Sequence, residues 1–113
     1  MPRYENIPDF VRQWTEMDLP FGGTAGWMVR GDKQQVVFVE FGERLDVPEH
    51  AHAEQWEFAL AGKVELRIDG ETRVYGPGDN FFIPAGKPHG ATVHAGYKAM
   101  IVFNERDRYR AKQ

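Results

Sequence analysis

The chain has 113 residues, enough for one domain with one core but not for two. With 42% apolar and 27% charged residues, it is not a disordered or collagen-like chain. It holds no cysteine, which removes thiol catalysis, cysteine-ligated zinc and any disulfide framework and suits a reducing cytoplasm, while a net charge of -3 with no basic block excludes nucleic acid and anionic membrane as expected partners.

Residues 1–25 read as a short N-terminal arm. The opening Met1-Pro2-Arg3-Tyr4-Glu5-Asn6 meets an acidic residue before any apolar run, unlike a secretory leader. Only Ile7, Phe10, Val11 and Trp14 keep a helical spacing, so one or two helical turns are the most expected there. From Gly22 to Gly96, glycine and proline recur between short runs of Val, Phe, Ile and Tyr, the pattern of many short strands. These are expected at 26–30, 34–41, 55–61, 63–68, 72–74, 80–83, 90–94 and 98–103, which sets the barrel at about 26–103. Asp69-Gly70 is the clearest hairpin signal, and 63–68 alternates charged and apolar residues as a strand with one wet face does. The longest apolar run, Val36-Val37-Phe38-Val39, is far short of the ~20 residues of a membrane helix. Residues 104–113 read as a charged, solvated tail. The whole is expected to be one soluble cytoplasmic domain over 1–113, an all-β sandwich, jelly roll or small barrel with room for a pocket inside.

Four histidines are present, at 50, 52, 89 and 94. His50 and His52, two apart on an expected strand, project to one face and can reach one metal ion, although such a pair taken alone also fits two ordinary surface histidines. Two stretches decide between these readings: GERLDVPEHAHAEQWEFALAG at 42–62 and GDNFFIPAGKPH at 78–89. Together they resemble the two motifs of the cupin superfamily, the first with an H-x-H pair and a Glu or Gln seven residues before a glycine, the second G-x5-P-x-G-x2-H. The resemblance implies a double-stranded β-helix, the cupin jelly roll, in which His50, His52, Gln55 and His89 converge on one divalent transition metal ion. Three imidazoles and one oxygen suit Mn, Fe, Co, Ni, Cu or Zn better than Mg or Ca. The third ligand has alternatives. Only Ala53 and Glu54 separate His52 from Gln55, where the family usually has three or four residues, so spacing from His52 allows Glu57, and Glu54 is a third option that strand parity turns away. The direction of the following strand favours Gln55.

Gly78, Pro84, Gly86 and Pro88 are read as shaping the turns that aim His89 inward. His94, five residues beyond, should face the other way and be structural or exposed. If Gln55, Glu57 and Ala59 point inward, Trp56, Phe58 and Leu60 point out and need a cover. Either the N-terminal segment with Phe10 and Trp14 supplies it or a second subunit does. The superfamily's frequent homodimers favour the subunit.

A closer resemblance bears on chemistry. VPEHAH at 47–52, Glu54-Gln55, GETRV at 70–74, PGD at 77–79 and VFNERDRY at 102–109 are similar to the small single-domain cupins of pectin and alginate breakdown. This implies a metal-dependent enzyme acting on a small carbonyl or enol substrate such as an unsaturated uronate, which it converts to an open-chain keto form. Glu57, on the same face as Gln55, would then be the general base, or else pair with an arginine such as Arg30 or Arg44. A dioxygenase using Fe or Cu and O2, or a non-catalytic small-molecule-binding cupin, would fit the same ligand set.

Overall fold

The computed structural model describes residues 4–112; residues 1–3 of the expected arm and residue 113 of the expected tail lie outside the described residues. Eleven strands follow in order: β1 Thr15–Asp18, β2 Thr24–Arg30, β3 Gln35–Phe41, β4 Leu45–His50, β5 Gln55–Ala61, β6 Val64–Ile68, β7 Glu71–Tyr75, β8 Asn80–Ile83, β9 His89–Val93, β10 Lys98–Phe103 and β11 Arg110–Ala111. Among the described residues a single 3-10 turn, Val11–Gln13, is the only helical element, and no helix is long and apolar enough to cross a membrane.

The strands form two antiparallel sheets, one ordered β11-β1-β2-β3-β10-β5-β8 and the other β4-β9-β6-β7. This is the expected all-β jelly roll. Period-2 alternation puts Val37, Val39, Ala59, Ala99, Ile101 and Phe103 of the larger sheet against Val64, Leu66 and Val93 of the smaller one. Each of the larger buried side chains, Val, Leu, Ile and Phe, contributes about 1.5–3 kcal/mol from the water it leaves. The β6–β7 hairpin turns through Asp69 and Gly70 at φ 56° and 74°, the two positive values a tight turn of this hand requires. Gly62, at φ 72°, answers a different need: a β-carbon there would sit 2.7 Å from the Tyr97 backbone.

Two strands, β1 and β11, exceed the sequence reading, and β4 is longer than the strand expected around His50. β4 carries Pro48, and its pairing with β9 shifts register between Val47 and His50, where the missing N–H does no harm. β1 and β11 lie in what were read as arm and tail, and pair with each other. The solvated tail is thereby corrected. Gln35, fully buried, donates to the Tyr109 carbonyl at 2.9 Å and accepts from the Tyr109 N–H at 3.0 Å, while Arg30 adds a bond to the same carbonyl at 2.8 Å. These bonds fold residues 104–112 back onto the inner face.

The arm packs on the outer face. Ile7 and Val11 bury against Trp27, with Trp14 edge-on to Phe38 and the Arg12 guanidinium 4.8 Å above the Trp27 ring and 2.6 Å from Glu40. The arm therefore covers β2 and β3, not the side chains on β5 that were offered to it. Trp56 and neighbouring Phe82 remain 46% and 55% exposed.

Candidate metal centre

His50 and His89 stand directly opposite each other across the β4–β9 pair, and His52 lies just past the end of β4, where the chain crosses to the other sheet. The ring centroids are 4.3 Å apart for His50 and His89, 5.2 Å for His50 and His52, and 5.0 Å for His52 and His89. One nitrogen from each ring falls within 4.8 Å of the others, and among the described residues no carboxylate joins this cluster. Strand parity, expected to bring His50 and His52 together, is not the cause, because His52 is off the strand. Its carbonyl instead accepts the Gly86 N–H at 2.9 Å, which ties it to the turn before His89.

Each ring is fixed through Nδ1 to a backbone carbonyl: His50 to Pro48 at 2.9 Å, His52 to Ala53 at 2.6 Å and His89 to Lys87 at 2.9 Å. A carbonyl only accepts, so each Nδ1 carries the proton and each Nε2 keeps its lone pair. That tautomer is what a metal-ligating histidine needs. Burial lowers the pKa of His89 and brings that of His52 down to about 4, with the positive charge of Arg108 working in the same direction. The His52 and His89 rings are thereby held neutral at neutral pH. Three ring nitrogens around one point fit a divalent transition ion and offer little to Mg or Ca.

Gln55 and Glu57 share this cavity, whose volume is about 110 Å³. Gln55 Nε2 donates to Glu57 Oε1 at 3.1 Å and the Tyr97 hydroxyl donates to Glu57 Oε2 at 2.5 Å. Burial pushes the Glu57 carboxyl up to about 7 against these two bonds, which favour the charged form. The alternative of an arginine pair for Glu57 is not what the structure holds: Arg30 reaches Tyr109 and Asp107, and Arg44 reaches Asp46. Glu54 accepts from the Asn104 side chain at 2.9 Å and lies outside the cluster. His94 pairs with Glu65 at 2.5 Å and does not line the cavity, in keeping with its expected outward direction.

The sequence reading missed Arg108 and Tyr109, which also line the cavity. The Arg108 guanidinium lies 4.8 Å from the Tyr109 ring and 5.8 Å from that of Phe103, and its Nε is buried without a hydrogen-bond partner. Glu105 Oε1, buried in the same segment, makes no hydrogen bond and lies 3.9 Å from His52 Nδ1. The available signal was a string of alternating charge, ERDR at 105–108, followed by an aromatic, Tyr109, that has to bury somewhere.

The profile of the cupin domain family matches residues 35–104, which contain all three clustered histidines. The chain is a cupin. Over 61 residues, 52% of this chain and 18% of the other, it is 39% identical to quercetin 2,3-dioxygenase of Bacillus subtilis (strain 168). It spans less than a fifth of the length of the curated relatives it matches. Among solved structures, an RmlC-like cupin from Shewanella frigidimarina superposes with a TM-score of 0.74 at 26% identity, covering 86% of this chain and 88% of that one. KdgF from Halomonas sp. superposes with a TM-score of 0.69 at 23% identity, covering 80% and 87%, a likeness of fold.

Proposed function

We propose that this cupin is a metal-dependent enzyme in which His50, His52, His89 and Gln55 hold one divalent transition ion, drawn from Mn, Fe, Co, Ni, Cu and Zn. The substrate is a small carbonyl or enol compound such as an unsaturated uronate, isomerised to its keto form. The observation that carries this reading is the convergence of three histidines whose Nδ1 atoms are all committed to backbone carbonyls, in a cavity that also holds an unpaired arginine. A bound ion supplies Lewis acidity, polarising a substrate oxygen so that the neighbouring carbon or hydroxyl exchanges a proton more readily. Arg108 binds the sugar acid's carboxylate, for which a guanidinium fork is suited in charge and shape. Glu57 takes and returns the proton, since each of its engaged oxygens keeps a second lone pair. Phe103 and Tyr109 keep water from the exchange. The resemblance of the 47–55 and 102–109 strings to uronate-converting cupins supports this substrate, and the likeness to KdgF supports the fold that houses it.

The relationship to quercetin 2,3-dioxygenase favours a second reading, in which the same donors hold Fe or Cu and O2 is consumed. A cytoplasmic homodimer completes the proposal, with the second subunit covering Trp56, Phe58 and Phe82. The test is to load purified protein with each metal in turn and follow the ultraviolet absorption of an unsaturated monouronate under nitrogen and under air. Equal turnover in both atmospheres, lost in His89→Ala, is expected. No turnover with any metal overturns the uronate reading, and oxygen-dependent consumption of an enol or diol substrate moves the assignment to the dioxygenase.

A further inference from the structure

A glutamine amide has one arm that can serve a cation, the oxygen, and one that cannot, the NH2. At position 55 two bonds decide which arm is left free. Gln55 Nε2 donates to Glu57 Oε1 at 3.1 Å, and the Tyr97 hydroxyl occupies the other oxygen of that carboxylate at 2.5 Å. Among the described residues, the Gln55 side chain makes no other hydrogen bond. Against the charged form of Glu57, an amide turned the other way would set its oxygen against a carboxylate oxygen in a buried place, giving up the bond and adding repulsion. Tyr97 is itself immobilised: its side chain is 1% exposed, its ring lies 6.1 Å from that of Phe41, and its backbone passes directly under Gly62.

We propose that Glu57, clamped by Tyr97, is a positioning residue that turns the Gln55 amide so that its oxygen is left for the cation held by His50, His52 and His89. This rests on the metal site proposed above and deepens it, since it explains how a neutral amide serves at a position where either of its arms could have faced the ion. The role is separable from proton transfer. Loss of the carboxylate's charge weakens cation binding alike whatever stands at position 55; loss of the clamp does so only where that residue is an amide.

The test is the Co(II) affinity of the whole chain, read by calorimetric titration and by the visible absorption of the bound ion, neither of which needs turnover. Glu57→Gln preserves shape but offers an amide that pairs with either arm of Gln55. It is expected to weaken Co(II) binding by about 10–100-fold, the range for groups that orient a ligand, and to shift the absorption band. In a Gln55→Glu background both arms at position 55 are oxygens, so the same Glu57→Gln change should cost less than about three-fold, well under that range. Tyr97→Phe, which keeps the ring, should weaken binding in the same direction and takes the place of Glu57→Gln if that variant does not fold. Wild-type affinity in Glu57→Gln and Tyr97→Phe, or an equal loss in both backgrounds, overturns the positioning role and leaves the metal site standing. Wild-type protein that binds none of Co(II), Ni(II) and Mn(II) overturns both.

Discussion

The two ends of the chain pack on opposite faces of the seven-stranded sheet, and they do so by different physics. Residues 7–14 lie on the outer face, where Ile7, Val11 and Trp14 bury apolar surface against Trp27 and Phe38. Residues 105–109 lie on the inner face, held by hydrogen bonds between Gln35 or Arg30 and the Tyr109 backbone, and they keep two buried polar atoms without hydrogen bonds, Arg108 Nε and the Glu105 Oε1 that lies 3.9 Å from His52 Nδ1. An apolar contact of the first kind stabilises and is complete in itself. A segment that carries unmatched polar groups into a cavity is less stable than it could be, which is the mark of a place built for a ligand.

The largest effect should come from breaking the outer contact. Ile7→Ala removes a fully buried side chain and should cost about 2–5 kcal/mol in urea unfolding, with cation affinity and KM unchanged. A changed KM would mean that the two ends are not independent. Next is Arg108→Ala, which should lower kcat/KM for a carboxylate substrate by about 10–100-fold, the equivalent of one charge-assisted hydrogen bond, with little change in melting temperature. Its cation affinity should hold or rise, because the guanidinium charge opposes positive charge at His52 and His89. An equal loss on an uncharged analogue would remove the carboxylate from the account.

The smallest effect sharpens the contrast through pH. His52 titrates at about 4 when folded and near 6.5 otherwise, so the unfolded chain takes up its proton first and stability falls with acid across that window, by up to about 1.4 kcal/mol per pH unit. Glu57 has the opposite sign. Folded it titrates at about 7 against an ordinary 4.5, so acid restores stability that its buried charge had removed. Between about 4.5 and 6.5 these two offset, so the acid sensitivity that metal-free wild type keeps there comes from other groups, His89 among them, whose lowered pKa acts in the same direction as that of His52. Glu57→Gln removes one side, so its midpoint should drop more steeply than that of wild type as pH falls from 6.5 to 4.5; equal slopes would contradict this pairing.

The strands, the Asp69-Gly70 hairpin and three of the candidate ligands were legible because each is written locally, in alternation, in turn chemistry and in the spacing of two motifs. What escaped was written at a distance. Before His50, β4 has an exposed proline and half its residues in water, so 45–49 read as a loop, and pairing with β9 makes them a strand. Residues 104–112 show no apolar period. Their fold depends on Gln35, 74 positions before Tyr109, a polar residue that a strand pattern reads as misplaced. At the site, the short gap after His52 obscured the choice between Gln55 and Glu57, and what relates them is a side-chain bond between two neighbours on one strand face, which spacing cannot express.

Gly62 lies on the surface and lines no part of the cavity, yet any side chain there would have to displace the main chain at Tyr97, whose phenol reaches inward to Glu57. A change on the outside of the barrel can thus be felt at its centre as a shift of one hydroxyl. A mutational survey confined to the cavity walls would overlook the position from which the interior is most cheaply disturbed.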